Sequence, residues 1–257
     1  MPVDKEIHYF DARYIASAKF FRKRKYQRLV TQLNKHDWPK LSRQPELMAE
    51  MQWLARQALV TEPDDQWYCD LFAHTANSHR VIGEITPAYA GLPTEGFAHI
   101  AALAPEARVL FIMRNPVDRL WSAARYFSGN RPKKSVVESL DDLLEFAERP
   151  MIAANGRYEA TIANLRAVLP EAQLHFMFYE ELFASPEATQ RHLAELCGFL
   201  GLDPSLLPPA PVERRINPSP ELGLPDEWRR QLHDRYESVR WNVEELLGLV
   251  PASWKNV

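Results

Sequence analysis

The sequence is short of cysteine, short of net charge and without a long apolar run, and each shortage closes off a class of protein. Only two cysteines occur in 257 residues, Cys69 and Cys197. Neither has a second Cys or a His at metal-ligand spacing, so no zinc or other metal site is expected. Both lie in apolar helical contexts and read as buried free thiols of a reducing cytoplasm. The formal net charge is -3, so the molecule as a whole does not attract nucleic acid or an acidic membrane. Any anion site has to be built from a few local donors. No apolar run is long enough to span a bilayer, and Met1-Pro2-Val3-Asp4-Lys5-Glu6 contains no secretion signal. The expected location is the cytoplasm. No Gly-Lys-Ser or Gly-Thr-Thr occurs anywhere, which argues against a phosphate-loop kinase. There is no internal repeat.

What is present is a globular composition, 46% apolar and 25% charged, expected to form a single domain over residues 1–257. Three short apolar runs, 80–86, 108–114 and 173–179, predict buried parallel strands. The middle one is apolar throughout, as a strand covered on both faces would be. Helices are predicted over 12–33, 94–103, from Asn115-Pro116 onward, over 155–169, 186–200 and 226–247. This alternation predicts an α/β sheet with right-handed crossovers. Three strands make a thin sheet, and a neighbour to the central one is missing. Residues 203–225 form a proline-rich loop, and 226–257 a C-terminal helix and tail.

The segment Phe111-Ile112-Met113-Arg114-Asn115-Pro116-Val117-Asp118-Arg119-Leu120-Trp121-Ser122 concentrates the chemistry. A buried strand ends in a cation, and a helix with an Asn cap and Pro in its first turn begins at once. Ligands of open α/β sheets sit at such strand ends, and helix N-termini favour anions. Arg114 can clamp a phosphate and Ser122 can add a hydroxyl. Spacing alone leaves open whether Arg114 instead pairs with a carboxylate.

The pattern Arg-Asn-Pro-x-x-Arg-x-x-Ser after an apolar strand resembles the 3′-phosphate-binding motif of sulfotransferases that use 3′-phosphoadenosine 5′-phosphosulfate (PAPS). Lys5-Glu6-Ile7-His8-Tyr9-Phe10-Asp11 resembles the Lys-Glu-x-His-Phe-Phe-Asp segment of the heparan sulfate and related bacterial members. Gly83-Glu84-Ile85-Thr86-Pro87-Ala88-Tyr89, Gly156-x-Tyr158, Phe178-Tyr179-Glu180-Glu181-Leu182 and Phe199-Leu200-Gly201-Leu202 follow in family order. The resemblance implies a phosphate-loop-NTPase-like parallel sheet flanked by helices. It implies PAPS as co-substrate, and a hydroxyl or amine of a carbohydrate or small molecule as acceptor. Arg114 and Ser122 would hold the 3′-phosphate. Glu6 would be the general base, oriented by His8 and Asp11, with Glu84 as rival base. Arg215 and Asn217, in a weaker echo of the family pattern, would touch the same phosphate. Read without the family, Lys5–Asp11 is an ordinary helix entry capped by Asp11.

One departure stands out. Relatives carry a strand and a Lys-x-Gly-Thr-Thr/Ser-like loop some twenty residues before the Lys-Glu segment, which here begins at residue 5. The expectation is that Met1 is an internal methionine of a longer reading frame and that first strand and loop are missing. A chain without them is expected to turn PAPS over weakly. The alternative is a catalytically impaired homologue that keeps the 3′-phosphate site as a nucleotide-binding or interaction protein. Residues Arg22-Lys23-Arg24-Lys25 and Arg28 form a solvated helix face or a docking patch for an anionic acceptor. His74, His79 and His99 show no partner pattern. Acceptor identity and oligomeric state are not encoded in any motif.

Overall fold

The computed structural model describes residues 5–35, 43–76, 79–128, 137–209 and 223–255. They fall into two compact units, Met1–Pro105 and Glu106–Val257.

The first unit is helical. An irregular strip, residues 5–8, leads into α1 (Phe10–Tyr14), a 3-10 turn at Ala16–Ala18, α2 (Phe20–Lys35), α3 (Pro45–Ala58) and α4 (Asp65–Ala76). A second irregular segment and a 3-10 turn at Pro87–Gly91 precede α5 (Thr94–Leu103). Helices α2 and α3 pack through Leu29, Met51 and Leu54, all buried. Two predictions change here. The helix expected over 12–33 is broken, because Ile15 turns extended (φ -120, ψ 109) between α1 and the 3-10 turn. Residues 80–86 form no strand. Among the described residues their backbone bonds outside the segment are Ile85 N–H to the Lys5 carbonyl and, in the turn that follows, Tyr89 N–H to the Thr86 carbonyl, each at 3.0 Å, too little for a ladder.

The second unit carries the sheet. Strand β1 (Val109–Met113) pairs in parallel with β2 (Leu174–Phe178), in register from Val109↔Leu174 to Met113↔Phe178. The connection runs through α6 (Pro116–Ser128), α7 (Leu140–Glu148), α8 (Pro150–Ala154) and α9 (Tyr158–Arg166). After β2 come α10 (Tyr179–Leu182), α11 (Pro186–Leu200), α12 (Asp226–Arg235) and α13 (Glu237–Leu247). Sequence explains the ends. Ser139 and Asp142 form a capping box on α7. Ser185 caps α11, Pro186 opens it, and Gly201 closes it at φ 71. One core gathers Met113, Phe178, Tyr158, Ile162, Val243 and Trp254, and a second joins α6 to α7 and α12 through Leu120, Leu143, Phe146 and Leu232.

Among the described residues the sheet has these two strands, so the protein is mixed α/β, mostly helical, with a small parallel sheet. Ile112 is 42% exposed, so β1 is not covered on both faces as its composition suggested. The helix expected over 155–169 starts at Tyr158, since Asn155 still closes α8. The helix expected over 226–247 is two, separated at Tyr236 (φ -98, ψ 9). Cys197 is buried, but Cys69 is exposed on α4.

Candidate functional site

The first unit brings Glu6, His8, Asp11 and Glu84 together. His8 Nδ1 lies 2.7 Å from Asp11 Oδ2 and Nε2 lies 3.0 Å from Glu6 Oε2. This carboxylate–imidazole–carboxylate chain runs from fully buried Asp11 to Glu6, whose side chain is 41% exposed. His8 adopts φ 58, a left-handed backbone that costs a non-glycine residue about 1–3 kcal/mol. That conformation is what lets a residue two positions from one carboxylate and three from the other reach both. Burial works against charge on His8, but the hydrogen bonds to Asp11 and Glu6 outweigh it and raise its pKa above the ordinary value. The hydrogen bond from His8 holds the Glu6 pKa below the usual range in spite of burial. Asp11 sits inside α1 and accepts from Ala12 N–H at 2.9 Å. It does not cap the helix, whose N-cap position is Tyr9.

Side chains pin the backbone of this strip. Ile7 N–H donates to Glu84 Oε2 and Thr86 Oγ1, each at 3.2 Å, and Tyr9 N–H to the Tyr89 hydroxyl at 3.2 Å. Glu84 is the hub. Its Oε1 accepts from the Tyr68 and Tyr89 hydroxyls at 2.8 and 2.9 Å, and its Oε2 also accepts from Thr86 at 2.6 Å. Burial raises its pKa even so. The His8 ring stacks on Phe21 with centroids 3.8 Å apart and planes 7° from parallel. Lys25 is turned inward, with Nζ donating to the Glu6 carbonyl oxygen and Gln57 Oε1. The basic run at 22–25 is therefore not a uniformly solvated face. His99 bonds Asp65 at 2.8 Å and Tyr14 at 3.2 Å. Tyr9, whose hydroxyl also bonds Asp65, has its pKa pushed up to about 12 by burial and that carboxylate.

The second unit holds Arg114 and Ser122. Arg114 follows β1 and places its guanidinium 4.9 Å from the Tyr179 ring centroid. Among the described residues it forms no ion pair. Ser122 is partly buried, two turns into α6. The Asn115 cap that the sequence predicted is present. Asn115 Oδ1 accepts from Val117 and Asp118 N–H at 3.0 and 3.4 Å, and Asn115 N–H donates to Glu180 Oε1 at 2.8 Å. The other oxygen of Glu180 accepts from Trp254 Nε1 at 2.9 Å, and the Tyr158 hydroxyl donates to the Arg114 carbonyl at 2.8 Å. An anion here meets side chains, because the first N–H groups are taken. Gly156 lies against Arg119: a Cβ there would stand 2.7 Å from Arg119 Nη2, which donates to the Ile152 carbonyl at 3.2 Å. Arg215 and Asn217 lie outside the described residues.

Sequence reading gave no individual role to Phe21, Thr86, Glu180 or Trp254, and took Lys25 only as part of a solvated face or acceptor-docking patch. Phe21 and Lys25 carry a usable signal, since residues four apart share a helix face. Trp254 has none, being 74 residues from the carboxylate it holds. Among the described residues no cluster of metal-ligating side chains occurs, and no helix is long and apolar enough to cross a membrane.

Comparison with known proteins bears on the family and the fold. A solved sulfotransferase from Alicyclobacillus acidocaldarius shares the fold, with a TM-score of 0.58 and 23% identity over 76% of each chain. No curated protein matches significantly. The model of the sulfotransferase family matches residues 3–204. That span takes in the Glu6–His8–Asp11 chain, the Glu84 hub and the Arg114–Ser122 junction alike, and the chain belongs to the sulfotransferase family.

Proposed function

We propose that the protein transfers a sulfuryl group from PAPS to a hydroxyl or amine of a carbohydrate or small-molecule acceptor. The observation that carries this reading is the Glu6–His8–Asp11 chain. Glu6 takes the proton of the attacking hydroxyl or amine as the acceptor atom bonds to sulfur. The bond from sulfur to the 5′-phosphate oxygen breaks, and its electron pair leaves with 3′-phosphoadenosine 5′-phosphate. Glu6 suits this role because its lowered pKa keeps it ionised at neutral pH and its side chain is accessible. His8 and Asp11 orient it, and the imidazole can share the captured proton. Glu84 holds the strip in place: four donors already occupy its two oxygens.

On the donor side, Arg114 and Ser122 hold the 3′-phosphate, with Arg215 and Asn217 as further contacts. Arg114, without an ion pair among the described residues, offers a whole guanidinium to a phosphate. The phosphate-loop-like architecture, the single-domain organisation over 1–257 and a cytoplasmic location belong to the same reading. Calorimetric titration with 3′-phosphoadenosine 5′-phosphate tests it. Arg114→Ala removes charge-assisted hydrogen bonds of about 1.5–3 kcal/mol, so affinity should fall about 10- to 100-fold. Equal affinity in wild type and variant would refute the donor assignment. Transfer of radiolabelled sulfate, lost in Glu6→Gln, tests the chemistry. Binding without any transfer would favour the nucleotide-binding homologue instead.

A further inference from the structure

We propose that Lys25 is a positioning residue for the Glu6 base, fixing from below the peptide from which Glu6 and His8 project. The inference rests on reading Glu6 as the base. Its own evidence is geometric. Lys25 is 7% exposed although it belongs to a basic run whose neighbours Lys23 and Arg24 are exposed. A buried ammonium is unfavourable unless its protons are satisfied, and here Nζ donates to the Glu6 carbonyl and to Gln57 on α3. The other side of the same peptide, Ile7 N–H, is held by Glu84 and Thr86. The Glu6–Ile7 peptide is thus gripped at both its polar groups, just before the left-handed turn at His8. Lys25 also stands one helical turn after Phe21, which stacks on the His8 ring. One face of α2 therefore contacts both members of the proton-handling pair, and α2 is itself braced by α3 through Leu29, Met51 and Leu54.

The charge acts along with the contact. The charged groups that face Glu6 are His8, Lys5 and Lys25, and each favours its ionised form, with His8 foremost. Lys25 is the one of the three that is both buried and tied to the Glu6 backbone.

The test uses the full chain, with carboxyl-labelled glutamate to follow Glu6 by NMR and a parallel transfer assay. In Lys25→Met, Glu6 should titrate at higher pH than in wild type, and turnover should fall by about 100-fold, as for a small misplacement of a reacting group, with the acceptor KM little changed. Gln57→Glu keeps the ammonium but neutralises its field, and should also move the Glu6 titration upward, which covers the case in which Lys25→Met does not fold. A Glu6 titration identical to wild type in the variants would overturn the proposal. So would a Lys25→Met that lowers only the melting temperature. Wild-type turnover in Glu6→Gln would instead remove the base reading, and the NMR titration would then decide the placement of Lys25 alone.

Discussion

Replacing Glu84 by glutamine separates the carboxylate that holds the strip from the one that works on it. Glu84 receives four hydrogen bonds on two oxygens: Tyr68 and Tyr89 on one, Thr86 and Ile7 N–H on the other. Glutamine keeps one oxygen. Its best orientation leaves that oxygen to Ile7 and Thr86, because a backbone N–H cannot turn into an acceptor. The amide then faces two tyrosine hydroxyls, and the Tyr89 oxygen already accepts from Tyr9 N–H. Two hydroxyl donors lose their acceptor. At about 1–3 kcal/mol for each buried donor left unsatisfied, the loss is about 2–6 kcal/mol. Both tyrosines are only partly buried, so water recovers some of it, and about 2–4 kcal/mol remains. That is a large share of a total stability of about 5–15 kcal/mol. Glu6→Gln is the counterpart. Its side chain is 41% exposed, its hydrogen-bond partner among the described residues is His8, and the amide oxygen still accepts from the ring, so stability should move by less than about 1 kcal/mol. Urea denaturation of both variants at pH 7, beside the sulfate-transfer assay, reads the two effects. An unchanged denaturation midpoint in Glu84→Gln would refute the hub.

Three further outcomes follow from the same contacts. His8 has a raised pKa in the folded state, so its contribution to stability is complete below pH 6.5, its unfolded value, and is lost as pH rises through the folded value. The lowered Glu6 pKa acts oppositely, contributing above 4.5 and failing as pH falls through its folded value. Denaturation midpoints across pH 5–9 should therefore decline on the alkaline side in wild type, and less so in Asp11→Asn. Gly156→Ala should cost about 0.5–1.5 kcal/mol, the worth of one hydrogen bond, because the flexible end of Arg119 can move aside but leaves the Ile152 carbonyl. That cost should shrink when Arg119 is already alanine, as a double-mutant cycle by urea denaturation would show. Trp254→Phe removes one of the two donors to Glu180 and should lower stability by about 1–3 kcal/mol. Because Glu180 also holds Asn115 N–H, calorimetry should show weaker nucleotide binding as well.

The sequence by itself determined the local matters: β1 and β2 from their apolar runs, and α5, α6 and α11 from periodicity and caps; motif wording also singled out Glu6, His8, Asp11, Arg114 and Ser122 as the residues to which the proposed chemistry is given. These depend on neighbours within a few residues. Tertiary structure decided the rest. The run 80–86 has the composition of a strand, yet it is held mainly by side chains and a single long-range backbone bond, because no partner strand lies beside it among the described residues. Lys25 reads as one cation among four, and only the packing of α2 on the strip turns it inward. The Asn115 cap after Arg114 is legible in the sequence, but the Glu180 carboxylate that takes the Asn115 N–H is not, because it lies 65 residues away. Whether a polar group is spent within the protein or left for a ligand depends on what the folded chain brings within about 3 Å of it.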